Sequence, residues 1–333
     1  MSIFRNTFLL LSCLWLTACN GQASGTATTG HDASQGSTRS ASQMPTFCAD
    51  SAYSYVARQC SFGPRVPGTT EHQQCGQWLM DELRRHGAKV DVQTTEATAY
   101  DGTRLPVYNI VGSYNTDARL RVLLISHWDS RHVADNDNDP ARRHDPVMGA
   151  NDGASGVGVL LELARLASQR APQVGIDIFL TDAEDYGAPD DWQGRHDEKW
   201  WALGTQLWCK AAAAKGYRAQ YGILLDMVGA PDATFYREYY SEGYASAYVS
   251  EIWQMADRLG YGDLFVERQG GGITDDHVFI NRMLGIPCVD IIDTRADGDG
   301  TFCPQWHTTH DTMDGISAQT LGKVGRVLVN LLW

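Results

Sequence analysis

The chain has 333 residues, and its 40 Asp and Glu against 27 Lys and Arg give a formal net charge of −13 at pH 7. Hydrophobic residues make up 43% of the chain, as in a packed globular protein rather than a disordered one. Phosphate binding requires clustered Lys and Arg, so the acidic balance argues against nucleic acid as a partner. An excess of carboxylates and ten His are instead residue types that form metal sites.

The first residues predict export. Arg5 precedes an apolar run over residues 7–16, which is shorter than the roughly 20 residues that span a bilayer and has signal-peptide architecture. The run ends in Leu-Thr-Ala-Cys at residues 16–19, which resembles the lipobox of bacterial lipoproteins. We therefore predict a signal peptide over residues 1–18 and a lipid on Cys19 that anchors the protein to a membrane, facing the periplasm. An ordinary cleaved signal with a chance Cys is the alternative.

A flexible tether is predicted next. Residues 20–46 contain no Val, Ile, Leu or aromatic residue, so this segment cannot bury apolar surface. We take residues 19–46 as the lipid-anchored tether and residues 47–333 as a single folded domain. Six cysteines fall in that domain, and the sequence selects none of their 15 possible pairings; they are Cys48, Cys60, Cys75, Cys209, Cys288 and Cys303.

Helices and strands alternate along the predicted domain. The predicted helices are 52–59, 70–86, 157–166, 208–215, 244–259 and 317–332, and the predicted strands are 89–96, 107–113, 120–126, 176–181, 221–226 and 287–293. Strands that alternate with helices form mostly parallel sheets, and the closeness of the first two strands favours a mixed one. We therefore predict an α/β fold, a single-domain three-layer α/β/α sandwich around a central mixed, mostly parallel twisted sheet.

Acidic and imidazole side chains follow the predicted strands. In open α/β sheets, ligands bind beyond the carboxyl ends of the strands. Each residue alone has an ordinary explanation, such as a helix cap or a turn, but their joint placement at one edge points to a divalent ion such as zinc. The residues are His127, Asp129, Asp152 in a Gly-rich helix start, Glu184, Asp185, Asp226 and His307.

Glu184 and Asp185 are adjacent in the chain. Neighbouring side chains of an extended segment point in opposite directions, so both can face one site only if the chain turns at the strand end. One carboxylate can then bind the metal while the other acts as a proton shuttle. Neighbouring carboxylates raise each other's pKa, which suits a shuttle that works near neutral pH.

These residues resemble the ligand set of the zinc-dependent aminopeptidase superfamily. More specifically, the chain from about residue 55 to its end resembles the glutaminyl-peptide cyclotransferases (glutaminyl cyclases) of the animal type, also found in bacteria. Gly-Ala-Pro after the strand that ends at Asp226, and Trp306 directly before His307, favour the cyclases over the peptidases. The supporting stretches are 126–131, 149–162, 182–185, 225–231, 234–235, 274–277 and 306–308.

The resemblance implies a role for each matching residue. It implies one zinc ion per chain, held by Asp152, Asp185 and His307, with Asp185 standing where the animal enzymes have Glu. It implies that Glu184 is the general acid and base. The other implied residues are Asp226 and Asp275 in the acidic network around Glu184, and Phe302, Trp306 and Trp192 around the substrate, with Trp200 and Trp201 left open as alternatives to Trp192.

The resemblance also implies the reaction. The γ-amide of an N-terminal Gln is polarised by zinc and attacked by the substrate's own α-amine, which yields pyroglutamate and ammonia. The partners are then peptides or proteins with N-terminal Gln, and we expect a monomer. The alternative is an exported two-zinc aminopeptidase, because His127 and Asp226 could hold a second metal. A non-enzymatic binding module on a decayed peptidase fold predicts broken ligand sets, whereas the set here is intact.

Overall fold

The computed structural model describes residues 44–295 and 301–333. The predicted signal peptide, the lipid site at Cys19 and nearly all of the predicted tether lie outside the described residues. Within those residues, no helix combines the length and the apolar character that crossing a membrane requires.

Six strands form the main sheet, in the spatial order β1-β2-β4-β3-β5-β8. The strands are β1 (Lys89–Thr98), β2 (Arg104–Tyr114), β3 (Arg121–His127), β4 (Gly175–Thr181), β5 (Tyr221–Asp226), β6 (Phe235–Arg237), β7 (Phe265–Gln269) and β8 (Cys288–Ile292). β2 runs antiparallel to β1 and to β4, and the remaining neighbours are parallel. The short strands β6 and β7 pair separately. This mixed, mostly parallel sheet confirms the predicted fold class.

Helices cover both faces of the sheet. They are α1 (Ala49–Cys60), α2 (Thr70–Arg85), α3 (Ala154–Gln169), α4 (Leu203–Ala214), α5 (Tyr239–Arg258), α6 (Asp276–Leu284) and α7 (Ala318–Leu332). On β3, Val122 and Leu124 pack into the core with α1, α3, α5 and α7. Leu123 and Ile125 point to the opposite core, with α4 and α6. Burial on both faces explains why β3 is a nearly continuous apolar run.

The carboxyl ends of the parallel strands lie at one edge of the sheet. Leu124 of β3 pairs with Ile178 of β4 and with Ile223 of β5, so the three strands end close together. His127 is the last residue of β3 and Asp226 the last of β5. The fold therefore places the polar residues that follow these strands side by side.

The described cysteines are free thiols, and all but Cys48 are buried. Burial raises the pKa of the Cys75 thiol to about 12 and that of Cys303 to about 11. Buried thiols of this kind behave as small apolar side chains in the core.

Candidate functional site

Three predicted metal ligands meet at the edge of the sheet. One ligand atom from each of Asp152, Asp185 and His307 lies within 4.8 Å of the others, and all three residues are buried. His307 Nε2 is 3.1 Å from Asp185 Oδ1 and 3.7 Å from Asp152 Oδ2. Two carboxylates and one imidazole at this spacing form a donor set that suits zinc.

A tight turn after β4 brings Glu184 and Asp185 to the same site. Ala183 has φ +50°, in the left-handed region that non-glycine residues rarely adopt. The carboxylate of Asp129 accepts hydrogen bonds from the backbone N–H of Glu184 at 3.1 Å and of Asp185 at 3.2 Å. The turn is therefore present as predicted, and Asp129, which also lies 3.5 Å from His127 Nδ1, holds it in place.

Left-handed backbone recurs around the site. Five described non-glycine residues have positive φ, and four of them lie here: Ala183, Ala202, Met227 and His307. Met227 follows Asp226 directly, and the backbone N–H of Ala202 donates to the carbonyl of Glu184 at 3.0 Å. Such conformations cost of order 1–3 kcal/mol each and persist where the surroundings over-determine them.

The backbone at Asp152 is held by a residue that the sequence did not single out. The carboxylate of Asp311 accepts from the N–H of Asn151 at 2.7 Å and of Asp152 at 3.0 Å. Gly153, which follows, has φ +91°, and a Cβ there would stand 2.8 Å from the carbonyl oxygen of Asp129. This position therefore requires glycine, and the start of α3 carries Asp152 into the site.

Asp135 and Arg131 contact two of the predicted metal ligands, His307 and Asp185. Asp135 Oδ1 lies 3.5 Å from His307 Nδ1, and Arg131 donates to the Asp135 carboxylate at 2.7 and 3.1 Å. Arg131 is buried and its guanidinium also lies 3.8 Å from Asp185 Oδ1. A carboxylate on the second nitrogen of a ligating histidine orients the ring and fixes its tautomer. The sequence alone does not indicate this role for Asp135, because an acidic residue after a strand is common.

Glu184 is surrounded by other carboxyl groups. Burial, followed by the negative charge of Asp275, raises the pKa of Glu184 well above its ordinary value. Burial also raises the pKa of Asp226 to about 7, although its hydrogen bond with His127 acts in the opposite direction. The pKa of Asp275 is likewise raised by burial. The three acids that the resemblance placed together thus line one cavity in the structure, where the proton affinity of each depends on the charge of the others.

The acids open into a cavity of about 380 Å³. Phe302 and Trp306 line it, with ring centroids 4.5 Å apart, and Trp306 stacks on His307 at 3.8 Å. The cavity thus combines apolar ring faces with a floor of ligand carboxylates, which is a common composition of small-molecule sites.

The third aromatic residue of the cavity corrects the prediction for Trp192. Trp201, one of the alternatives left open, lines the cavity, whereas Trp192 packs edge-on against Tyr100 at 4.9 Å, outside the lining. The stretch between them loops over the surface and ends in a single helical turn, Glu198–Trp200. After this turn, Ala202 N–H donates to the carbonyl oxygen of Glu184, which brings the neighbouring Trp201 to the site.

A larger cavity, of about 710 Å³, lies between the strands β1 and β2 and the helix α4. Its buried acid, Asp177, accepts two hydrogen bonds from Arg121, at 2.6 and 2.8 Å. A carboxylate neutralised by a bidentate arginine is a structural pair. The smaller cavity is therefore the candidate functional site.

The first ligand group fits a metal ion. Asp185 Oδ2 is buried and accepts no hydrogen bond from the residues that the structure describes. Burial lowers the pKa of His307, but the charge of Asp185 and the hydrogen bonds with Asp135 and Asp185 together outweigh burial and raise the pKa to about 9. A site that draws a proton this strongly also attracts a divalent cation.

A second group shares Asp152. It consists of His127, Asp152 and Asp226, with ligand atoms within 4.8 Å of one another. His127 Nε2 lies 3.0 Å from Asp152 Oδ1 and 3.3 Å from Asp226 Oδ1. Hydrogen bonds to three aspartates overcome the effect of burial and raise the pKa of His127 well above its ordinary value. An imidazole nitrogen between two carboxylates is also a donor set of the kind that holds a metal ion.

Comparisons with known proteins agree on the family. A model of peptidase family M28 matches residues 109–332. The glutaminyl cyclase of Tannerella forsythia is 50% identical, with a TM-score of 0.84 over 86% of this chain and 99% of that one. A Zn-dependent exopeptidase from Parabacteroides distasonis is 47% identical, with a TM-score of 0.84 over 87% and 99%. The Drosophila melanogaster glutaminyl-peptide cyclotransferase is 24% identical over 295 residues, 80% of this chain and 75% of its own.

Proposed function

This chain belongs to peptidase family M28 and is an enzyme of its glutaminyl cyclase group, and from that membership we propose that it converts N-terminal glutamine of peptides or proteins into pyroglutamate, with release of ammonia. The observation that carries the proposal is the position of Glu184. A carboxyl group with a raised pKa lies in an aromatic-lined cavity beside Asp152, Asp185 and His307. Cyclisation of an amide requires a proton acceptor for the attacking amine and a metal that polarises the amide carbonyl, and this cavity holds residues suited to both roles.

The metal is proposed to be zinc, one per chain. The buried oxygen of Asp185 that lacks a described donor, together with Asp152 and His307, supports this choice. When bound there, zinc would supply a Lewis acid for the γ-carbonyl oxygen of the substrate glutamine. The supporting carboxylate of Asp135 keeps the His307 ring in its ligating orientation.

Glu184 is proposed to move the proton. Its carboxylate accepts a proton from the α-amine of the substrate as the amine nitrogen bonds to the γ-amide carbon. Glu184 then returns the proton to the amide nitrogen, the bond from carbon to that nitrogen breaks, and ammonia leaves. The nucleophile belongs to the substrate, so holding the amine near the amide supplies much of the rate.

Asp226, Asp275 and the aromatic residues have supporting roles in this proposal. Burial and the charge of Asp275 keep the pKa of Glu184 above its ordinary value, which makes Glu184 a better proton acceptor from the substrate amine. Phe302, Trp306 and Trp201 would enclose the glutamine side chain. Flat ring faces suit a planar amide and exclude water that would otherwise compete with the α-amine.

Two peptides test the proposal. Purified protein is incubated with a Gln-initiated peptide and, separately, with a Leu-initiated peptide of otherwise equal sequence. The proposal predicts ammonia release and a mass decrease of one NH3 from the first peptide, and no free amino acid from the second. Release of free Leu would overturn it in favour of a peptidase.

The second candidate is a two-zinc aminopeptidase. The group of His127, Asp152 and Asp226 supports it, as does the name of the exopeptidase relative. Zinc content per folded chain separates the two, because the peptidase requires two ions and the cyclase proposal only one. The same measurement accompanies the peptide assay.

The location is a proposal as well. The signal-like residues 1–18 and the lipobox-like Leu-Thr-Ala-Cys that ends at Cys19 support a lipid-anchored protein that faces the periplasm. We expect the enzyme to act there as a monomer on exported peptides.

A further inference from the structure

Three tyrosines at the start of α5 form an exposed aromatic surface. Tyr239, Tyr240 and Tyr244, with Glu242, Gly243 and Gln269, line a cleft of about 400 Å³, which we call the tyrosine cleft. Tyr239 is 55% exposed and Tyr244 is 45% exposed. Four large hydrophobic side chains are exposed within residues 44–295 and 301–333, and these are two of them. Two of the four thus lie at one cleft, which makes the tyrosine cleft a candidate binding surface.

The helix holds the cleft open. Glu238 caps α5 by accepting hydrogen bonds from the N–H of Tyr240 at 2.9 Å and of Ser241 at 2.6 Å, which fixes the first turn. Tyr240 and Tyr244 are four residues apart and therefore lie on one face of the helix. A Cβ at Gly243 would touch nothing within 4 Å, so the cleft is open at this residue.

The tyrosine cleft adjoins the catalytic cavity. Gly272 lines that cavity, and a Cβ on it would stand 3.2 Å from Tyr240 Cε2 and 3.5 Å from Tyr239 Cδ1. Arg282 forms a second connection, because it donates to Glu198 on the cavity wall at 3.0 Å while its guanidinium lies 5.8 Å from the Tyr240 ring. Gly272 therefore borders the catalytic cavity and lies next to the rings of Tyr239 and Tyr240.

We propose that the tyrosine cleft binds an apolar, preferably aromatic, side chain of the substrate, a few residues downstream of its N-terminal glutamine. This inference rests on the proposed function, in which the glutamine enters the inner cavity and the rest of the peptide leaves across its rim. A side chain that leaves past Gly272 meets the tyrosine rings. Aromatic rings pair favourably edge to face, as Tyr239 and Tyr240 already do with centroids 5.5 Å apart.

The charges of the cleft favour an apolar occupant over a basic one. Glu242 is its carboxylate, and Glu242 is already bonded to the guanidinium of Arg237. Glu198, near the other end, is paired with Arg282. With both acids paired, the rings remain the strongest available interaction for an incoming side chain, and the amide of Gln269 can serve the adjacent peptide backbone.

A phenylalanine scan of the substrate tests the inference. One Phe is placed at position 2, 3, 4 or 5 of a Gln-initiated peptide whose other residues are Gly, and kcat/KM for ammonia release is compared with that of Gln-Gly. We expect Phe at one of positions 3–5 to raise kcat/KM by about 3- to 10-fold, the range of one aromatic pair. A scan that is flat at every position would overturn the inference.

Substitutions in the enzyme test whether the tyrosine cleft causes the rise in kcat/KM that Phe produces. The double variant Tyr239→Ala with Tyr244→Ala should lose most of the gain from Phe while kcat/KM for Gln-Gly stays within about twofold. The control is Leu120→Ala, which removes a side chain 52% exposed at the amino-terminal end of β3, away from the site, and should keep the gain. A gain that survives in the double variant would place the downstream residue elsewhere. Absence of ammonia from Gln-Gly in the unmodified enzyme would instead refute the proposed function itself.

Discussion

Glu184 is the residue on which the proposed chemistry depends most. We predict that Glu184→Gln lowers kcat for ammonia release by about 10²- to 10⁴-fold, the range of general acid–base catalysis, because glutamine cannot accept the proton. The substitution keeps the shape of the side chain, so zinc content and the melting temperature should match those of the unmodified protein. Near-normal turnover would remove Glu184 from this role.

His307 tests the ligand assignment. His307→Ala removes one of three ligands, and we expect zinc content after dialysis to fall well below one per chain, as measured by atomic emission. His310→Ala is the matched control, because His310 is exposed and lies three residues further along the same loop. Equal zinc content in both variants would show that the ligands have been misassigned.

The pH dependence tests the neighbourhood of Glu184. Burial and the charge of Asp275 raise the pKa of Glu184 above its ordinary value of 4.5, and Glu184 must be deprotonated to accept a proton. The acidic limb of kcat should therefore lie above pH 4.5. Asp275→Asn removes the charge, so the pKa of Glu184 falls and the limb should move to lower pH; an unmoved limb would contradict the coupling.

Asparagine is chosen at Asp275 because that residue caps α6. The Asp275 carboxylate accepts from the N–H of Asp276 at 2.5 Å, and asparagine caps helices about as well as aspartate. The variant should therefore keep the melting temperature of the unmodified protein. Asp191→Asn, at an exposed position outside the cavity, is the control for the pH profile.

Single residues differ in how far the sequence reveals them. Asp152, Asp185 and His307 could be found because each follows a strand or opens a Gly-rich helix, and all three meet in the structure. Asp135 and Asp311 could not, because an acid that orients a ligand or holds a backbone turn has no fixed spacing to it. The sequence predicts Trp192 rather than Trp201 at the cavity, and this prediction fails because the path of an inserted loop cannot be read from its composition.

Helix α3 is the element that carries Asp152, and its close packing gives a stability prediction. A Cβ at Gly156 would stand 2.4 Å from the carbonyl oxygen of Leu225 and from Ser126 Oγ, so Gly156→Ala forces α3 away from β3 and β5. We expect a loss of about 1–3 kcal/mol in the free energy of unfolding, measured by urea denaturation.

Gly243→Ala is the matched control for that prediction. Gly243 is also within a helix, and a Cβ there would meet nothing within 4 Å. Alanine should stabilise α5 by about 0.5–1 kcal/mol, because glycine loses more backbone entropy on folding. If both alanines had the same effect, helix propensity rather than packing would explain the result at Gly156.

Helices and strands with a clear hydrophobic period were predictable from the sequence, whereas short elements were not. The six strands of the main sheet and six helices appear near their predicted positions, because each carries an apolar pattern long enough to show its period. β6 has only three residues, and β7 (Phe265–Gln269) has apolar side chains only at Phe265 and Val266, so neither strand shows such a pattern. The nine-residue α6 was also missed, although Asp275 caps its start and Gly285, with φ +64°, ends it.

For the whole molecule, the anchoring proposal yields its own test. Cys19→Ser removes the thiol that would carry the lipid, so we expect the protein to move from the membrane fraction to the soluble fraction of the producing bacterium. Cys48→Ser is the control, because Cys48 lies beyond the predicted tether and its thiol should not affect partitioning. Kinetics on Gln-Gly should be unchanged in both variants, and membrane retention of Cys19→Ser would rule out the lipid.

The proposed zinc ligands Asp152 and His307 are far apart in the chain, with strands β4, β5 and β8 between them. No short segment of the chain can therefore hold zinc alone, and the ligands gather only when the parallel strands have assembled. Metal capture should consequently be a late event in folding. A chelator present during refolding should leave the rate of sheet formation unchanged and delay only the return of activity, until zinc is added back to the folded protein.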